Sequence, residues 1–215
     1  MAYDYGVKAV LFDLDGVLVD ACEVHRVSLN QALDQFGYTI TEEEHYDRYN
    51  GLPTRVKLQM LTEEKGLPAE LHVQINGLKQ SLTLATIPHV IKPDKGTRSL
   101  LKVLKDLHIG IGVCSNSVRD SIWALLRAAK LDAFVETVIA NDDCDYEGNK
   151  VPPKPAPDIY LWGAESQGVS ISECVIVEDS PIGVQAAIAA EPRKLVVVKD
   201  PSFVNLDLLS KILGD

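Results

Sequence analysis

Two aspartates one residue apart, Asp13 and Asp15, follow the apolar run Ala9-Val10-Leu11-Phe12 and precede Gly16. Four apolar residues are too short a run for a helix and read as a buried strand. Carboxylates at this spacing share a face of a strand, and just past its end they are free to converge on one point. Gly16 permits the positive φ or tight turn that such a departure needs. Unpaired carboxylates at the mouth of a buried strand repel each other, which implies a cation or a shared proton. Three more polar groups stand in similar positions: Ser115-Asn116-Ser117 after Cys114, Lys154-Pro155-Ala156-Pro157, and Glu178-Asp179-Ser180-Pro181 after C-V-I-V. Magnesium favours a few carboxylates together with phosphate oxygens and water. A lysine and a hydroxyl neutralise the remaining phosphate charge. One carboxylate can attack phosphorus while a second moves the proton. The combination suits transfer of a phosphoryl group.

These residues need elements that gather them. From Pro93 onward helix and strand patterns alternate: helix 96–107, strand 109–114, helix 117–131, strand 137–140, helix 158–168, strand 174–178, helix 180–190, strand 195–198 and helix 206–213. Short β-branched runs separated by helices indicate an α/β, Rossmann-like parallel sheet with helices on both faces. Such sheets present ligand sites at the carboxyl ends of their strands. The strand at 9–12 belongs to this sheet. Between it and Pro93 lie four helical patterns and no strand: 21–37, a second opened by the capping box Thr41–Glu44 and running toward Asn50-Gly51, a third from Pro53-Thr54 to Gly66, and a fourth over about 69–84. The expected organisation is a core of residues 1–19 and 92–215 with an inserted four-helix cap at 20–91, and with hinges at Gly16–Asp20 and about Pro88–Lys95.

Composition narrows the partners. With 215 residues, 46% hydrophobic and 24% charged, the chain is long enough for a sizeable core in one or two domains. A net charge of -10 with no basic run argues against nucleic acid or an anionic membrane as partner. No apolar stretch approaches the roughly 20 residues needed to span a bilayer, and the N-terminus has no signal-peptide pattern. Cys22, Cys114, Cys144 and Cys174 form no C-x-x-C pair, and there is no N-x-S/T site, so reduced thiols in a cytoplasmic setting are expected. The five histidines are scattered, which argues against a zinc site.

The series D-L-D-G-V-L-V-D, S-N-S, K-P-A-P-D and E-D-S-P-I-G resembles the haloacid dehalogenase superfamily. More narrowly it resembles the β-phosphoglucomutase and phosphoglycolate-phosphatase branch, which carries a helical cap between the first and second motifs. The resemblance covers essentially the whole chain. It implies that Asp13 is the nucleophile that becomes an aspartyl phosphate, and that Asp15 protonates the leaving oxygen and then activates water. It implies that Ser115, Asn116 and Lys154 hold the phosphate. Mg2+ would sit on the Asp13 carboxylate, the Asp15 backbone carbonyl and Asp179, with Glu178 a further participant. His25 and Arg55 stand where this branch places cap or hinge residues that meet substrate. Taken singly, Ser115 also reads as a helix N-cap, Lys154 as a surface amine, and Glu178-Asp179 as acids favoured by a helix dipole; four such residues in this order are better explained together.

Two stretches depart from the pattern. Residues 141–153, N-D-D-C-D-Y-E-G-N-K-V-P-P, are longer than the connection expected before the lysine motif. Asp143, Asp145, Glu147 and Gly148 imitate half of a calcium loop, but Lys154 stands where the bidentate glutamate belongs, which rejects that reading. Ala190-Glu191-Pro192 stands where a glycine is expected before the last strand. The leading expectation is a Mg2+-dependent phosphatase acting on a small phosphorylated metabolite, a sugar phosphate by class. A phosphomutase of the same fold and a non-catalytic binding protein are the alternatives.

Overall fold

The computed structural model describes residues 5–143, 148 and 150–214. Five parallel strands form one sheet in the order β3-β2-β1-β4-β5, with β1 Ala9–Phe12, β2 Gly110–Ser115, β3 Thr137–Ala140, β4 Cys174–Glu178 and β5 Lys194–Val197. The apolar run at 9–12 lies at the centre of the sheet, and its four residues, like those of the neighbouring β4, are fully buried. Its side chains alternate across the sheet. Val10 and Phe12 join one core cluster, with Val113, Val177 and residues of α5 (Lys95–Asp106), α6 (Arg119–Ala129) and α9 (Leu209–Leu213). Ala9 and Leu11 join the opposite cluster, with Cys114, Ile176 and residues of α7 (Asp158–Glu165) and α8 (Pro181–Ala190).

The register sets the functional edge. Phe12 pairs with Val113 on one side and Val177 on the other, so Asp13, Cys114 and Glu178 follow at one level. Ser115 pairs with Ala140. Strand order reverses about β1, the arrangement that opens a crevice at the carboxyl ends.

Between β1 and β2 the chain forms α1 (Cys22–Asp34), α2 (Glu42–Glu44) with a π-helical continuation His45–Tyr49, α3 (Thr54–Lys65), and a one-turn helix Ala69–Leu71 leading into α4 (His72–Val90). These helices have an apolar core of their own, including Leu29, Leu33, Tyr49, Leu58, Leu61 and Ile75. The expected capping box is present: Glu44 N donates to Thr41 Oγ1 at 3.1 Å, and Thr41 N donates to Glu44 Oε2 at 2.8 Å.

Several boundaries differ from the sequence reading. The fourth helix runs six residues beyond Leu84, through Pro88, so the connection to the core shrinks to Ile91–Asp94. Proline ordinarily ends or kinks a helix. Here Ile87 and Ile91 are both buried in the main core, and Ile91 N still donates to Ile87 O at 3.0 Å, so packing outweighs the local rule. Helix α6 starts at Arg119, not Ser117, and its N-cap Val118 makes no side-chain bond. Ser115 is therefore not its cap; Ser115 Oγ accepts from Ser117 N at 3.1 Å within the loop. The C-terminal helix is split into a one-turn piece, Leu206–Leu208, and α9. At the position where a glycine was expected, Glu191 caps α8 with φ of 55°, taking the left-handed conformation itself.

Candidate active site

The loop after β1 folds tightly on itself. Leu14 O accepts from Leu18 N and Val19 N at 3.0 Å, and Gly16 N donates to Val19 O at 2.7 Å. Gly16 has φ of 91°, and a Cβ on it would lie 2.1 Å from Asp179 Oδ2. The glycine is thus required twice, for the turn and for the approach of Asp179 from β4.

Asp13, Lys154 and Glu178 form a buried ionic triad. Lys154 Nζ donates to Asp13 Oδ1 at 2.5 Å and to Glu178 Oε1 at 2.6 Å. Tyr160 of α7 donates its hydroxyl to the same Glu178 oxygen at 2.6 Å. Glu178 Oε2 accepts from Asp179 N, Ser180 N and Ser180 Oγ at 3.0–3.2 Å. Both Glu178 oxygens are therefore occupied, one by Lys154 and one by the turn into α8. Burial pushes the Asp13 carboxyl well up, Lys154 opposes this, and the carboxylates of Glu178, Asp15 and Asp179 add to it. The Lys154 ammonium is fully buried too, yet Asp13 and Glu178 hold its pKa above the ordinary value.

Asp15 faces a different set of partners. Ser117 Oγ donates to its Oδ2 at 3.1 Å, and His25 Nε2 lies 3.3 Å from its Oδ1. Burial alone would raise this carboxyl, but the charge and hydrogen bond of His25 and the bond from Ser117 hold it below its usual value. His25 Nδ1 in turn lies 3.3 Å from Lys79 Nζ on α4. Asn116 ties the core to the cap: its Nδ2 donates to Gly51 O at 3.0 Å, and its Oδ1 accepts from Lys154 N at 3.0 Å. A second tie joins Ser121 of α6 to Gln80 of α4 at 3.3 Å.

All these elements close round a cavity of about 270 Å³. Asp13, Asp15, Ser115, Asn116, Lys154, Asp179, His25 and Arg55 all line it, whereas Glu178 lies beneath it. Arg55 is exposed at the rim and His25 is half-buried, bound to Asp15. Cys22 also lines the cavity, but burial and the neighbouring carboxylates push its pKa up to about 12, so it stands as a thiol rather than a competing thiolate. Among the described residues, ligand atoms of Asp13, Glu178 and Asp179 lie within 4.8 Å of one another, and Asp179 Oδ1 is buried with no partner. An orphaned carboxylate oxygen beside a second carboxylate fits a divalent cation.

A sequence model of the haloacid dehalogenase-like hydrolases matches residues 10–197. The chain belongs to this family. The hydrolase is 29% identical to a β-phosphoglucomutase of Bacillus subtilis over 97% of this chain and 91% of that one. It is 26% identical to a phosphorylated carbohydrates phosphatase of Thermotoga maritima over 86% of this chain and 82% of that protein. It spans only 21% of the length of one plant relative and 66% of another. Among solved structures, a β-phosphoglucomutase from Clostridium difficile superposes with a TM-score of 0.81 over 97% of both chains, at 20% identity, a likeness of fold. Among the described residues no helix is long and apolar enough to cross a membrane.

The cavity also contains residues that the sequence did not single out. Lys57 and Lys79 of the cap helices line it, and Tyr160 secures Glu178 from below. The two lysines stand on α3 and α4, and only tertiary packing turns them inward. In the 141–153 segment, Asp143 pairs with Arg119, accepting from its Nε and Nη2 at 2.9 and 2.6 Å. Cys144, Asp145 and Glu147 of that segment lie outside the described residues.

Proposed function

We propose that the hydrolase is a Mg2+-dependent phosphatase of a small phosphorylated metabolite, a sugar phosphate by class, working through an aspartyl phosphate on Asp13. One observation carries this reading: the Asp13 carboxylate, the Lys154 ammonium and the unpartnered Asp179 oxygen face one cavity, while Asp15 is held separately within it. Asp13 attacks phosphorus, and the P–O ester bond breaks as Asp15 delivers a proton to the leaving oxygen. Asp15 then takes a proton from water, whose oxygen attacks the phosphoryl group, releasing phosphate and restoring Asp13. Lys154, Ser115 and Asn116 orient the phosphoryl oxygens. Asp13, Asp179 and the Asp15 backbone carbonyl would hold the metal, and Glu178 holds Lys154 in place. Bound there, Mg2+ supplies positive charge that favours the ionised Asp13 and offsets charge on the phosphoryl oxygens. Helices α1–α4 roof the cavity and keep bulk water from the phosphoenzyme.

Hydrolysis of an alkyl phosphate demands barrier lowering on the order of 20 kcal/mol or more. The nucleophile, the metal site and the proton carrier supply complementary parts of it. The acidic surface supports a small-molecule partner rather than nucleic acid or membrane. Free thiols at Cys22, Cys114 and Cys174 support a reducing compartment such as the cytoplasm.

The test is phosphate release from a panel of sugar phosphates with Mg2+. Wild-type turnover that disappears in Asp13→Asn supports the reading; full activity in that variant refutes it. The likeness to the B. subtilis mutase favours a second reading, in which the phosphoryl returns to sugar. Conversion of β-glucose 1-phosphate to glucose 6-phosphate with a bisphosphate primer, without free phosphate, would establish that alternative.

A further inference from the structure

Two carboxylates compete for Lys154: its ammonium lies 2.5 Å from Asp13 Oδ1 and 2.6 Å from Glu178 Oε1. Asp13 and Lys154 line the cavity, and Glu178 lies beneath it. How much of the ammonium's charge reaches a phosphoryl group therefore depends on how strongly Glu178 pulls from below. Asp13 is 7% exposed, Lys154 3% and Glu178 not at all, so water does little to settle the competition.

Tyr160 of α7 sits under this pair. Its hydroxyl donates at 2.6 Å to Glu178 Oε1, the same oxygen that binds Lys154. Its ring lies beneath the ammonium, with Lys154 Nζ 4.9 Å from the ring centre. That ring is fully buried in an apolar cluster with Leu11, Cys114, Ile139 and Ile159, where phenylalanine would pack as well. Packing accounts for the ring and leaves the hydroxyl to be explained. Burial, with the charges of Glu178 and Asp13, pushes the phenol well above its usual pKa, so it stays a donor.

Glu178 does not need this donor to be anchored. Its Oε2 accepts from Asp179 N, Ser180 N and Ser180 Oγ, and a Cβ on Gly183 would overlap its carboxylate, so the start of α8 already seats it. The effect of the phenol falls instead on Oε1. A hydroxyl dipole with its positive end on that oxygen offsets part of the pull on Lys154.

We propose that Tyr160 is a positioning residue of the phosphoryl site: its hydroxyl offsets the pull of Glu178 and so keeps the Lys154 ammonium on the Asp13 side, available to phosphate. This rests on the phosphatase reading above, in which Lys154 orients the phosphoryl oxygens. Tyr160 itself lies outside the cavity lining and acts through Glu178.

The test is Tyr160→Phe, which removes the hydroxyl and keeps the ring. Without that donor Lys154 shifts toward Glu178, holds phosphate less well, and leaves Asp13 at least as free for Mg2+. Calorimetric titration of wild type and variant, with Mg2+ alone and then with inorganic phosphate at saturating Mg2+, reads both affinities. The Kd for phosphate should rise by about threefold or more, the change in an equilibrium that one net hydrogen bond corresponds to, while the Kd for Mg2+ stays equal or falls. A site merely loosened by the substitution would lose both ligands together. A smaller change for phosphate, or a loss of Mg2+ affinity alongside it, overturns the proposal. So does a variant too unstable to titrate, because the hydroxyl would then serve the fold, and so does a wild type that binds no phosphate. A wild type that binds Mg2+ and phosphate yet releases phosphate from no sugar ester refutes the phosphatase reading alone, and the two titrations still decide the role of Tyr160.

Discussion

Replacing Gly16 with alanine tests whether the placement of Asp179 matters as the geometry indicates. The new Cβ would lie 2.1 Å from Asp179 Oδ2 and 2.8 Å from its Cγ, well inside the 3.0 Å floor for such contacts, so the carboxylate must withdraw by about 0.9 Å or more. Backbone strain adds to this, because alanine at φ of 91° costs about 1–2 kcal/mol. For a chain of this length that corresponds to a fall in Tm of about 2–8 °C. Displacement of a positioning group by about 1 Å costs on the order of 100-fold in rate. Gly16→Ala should therefore remain folded, lose about two orders of magnitude in kcat, and need more Mg2+ for half-maximal activity.

The control is Gly37→Ala. Gly37 also has positive φ, 77°, but nothing lies within 4 Å of its added Cβ. It should lose similar stability while keeping wild-type turnover. Thermal melts and phosphate release across a Mg2+ series read both variants. Wild-type kcat and an unshifted Mg2+ dependence in Gly16→Ala would refute the assignment of Asp179 to the metal site.

Three further outcomes follow from buried charge and backbone conformation. Lys154→Met leaves Asp13 and Glu178 buried without their shared cation, so urea denaturation at pH 7 should show a loss on the order of 3–5 kcal/mol; a loss under 1 kcal/mol would contradict the triad. Glu191→Gly puts the permissive residue at the left-handed cap of α8 and should raise stability by about 1 kcal/mol, read as a rise in Tm of about 2–4 °C. Lys57 has a folded pKa of about 8 against an unfolded value near 10.4, so the unfolded chain binds more protons between those values and stability rises with pH there. The penalty from this residue, on the order of 3 kcal/mol, is present below pH 8 and gone above about 10.4, so the advantage of Lys57→Met over wild type in urea melts should shrink from pH 7 to pH 10. A constant difference would contradict burial of the charged form.

The sheet and its edge were legible because the relevant signals are local. β1 and β4 are short apolar runs that stop at acids, and the acids sit at the ends of strands because parallel strands in an α/β fold all point one way. The alternation of helices and strands after Pro93 carried the topology for the same reason. Where the sequence misled, a distant contact had overridden a local preference. Pro88 signals a break, but burial of Ile87 and Ile91 carries α4 through it. Ser115 and Ser117 look like a helix start, but they face the cavity, and α6 begins two residues later. The missing glycine at 191 signalled altered geometry, and the chain keeps the cap by accepting strain. The contact of Lys79 with His25 spans 54 positions, and no periodicity on either helix announces it.

The distribution of charge between the two layers explains why the roof needs cations at all. The floor carries Asp13, Asp15, Glu178 and Asp179 around one buried lysine, Lys154, with Lys150 exposed beside it, and Lys154 is already shared by two of the acids. A phosphate ester entering such a floor meets repulsion that even one divalent ion offsets only in part. Lys57 and Lys79 in the roof, with Arg55 at the rim, supply opposite charge from the other side. Burial of both lysines, and for Lys57 the charge of Lys79, lowers each to about 8. An anionic ligand held against Asp13 would ease the repulsion between the two lysines.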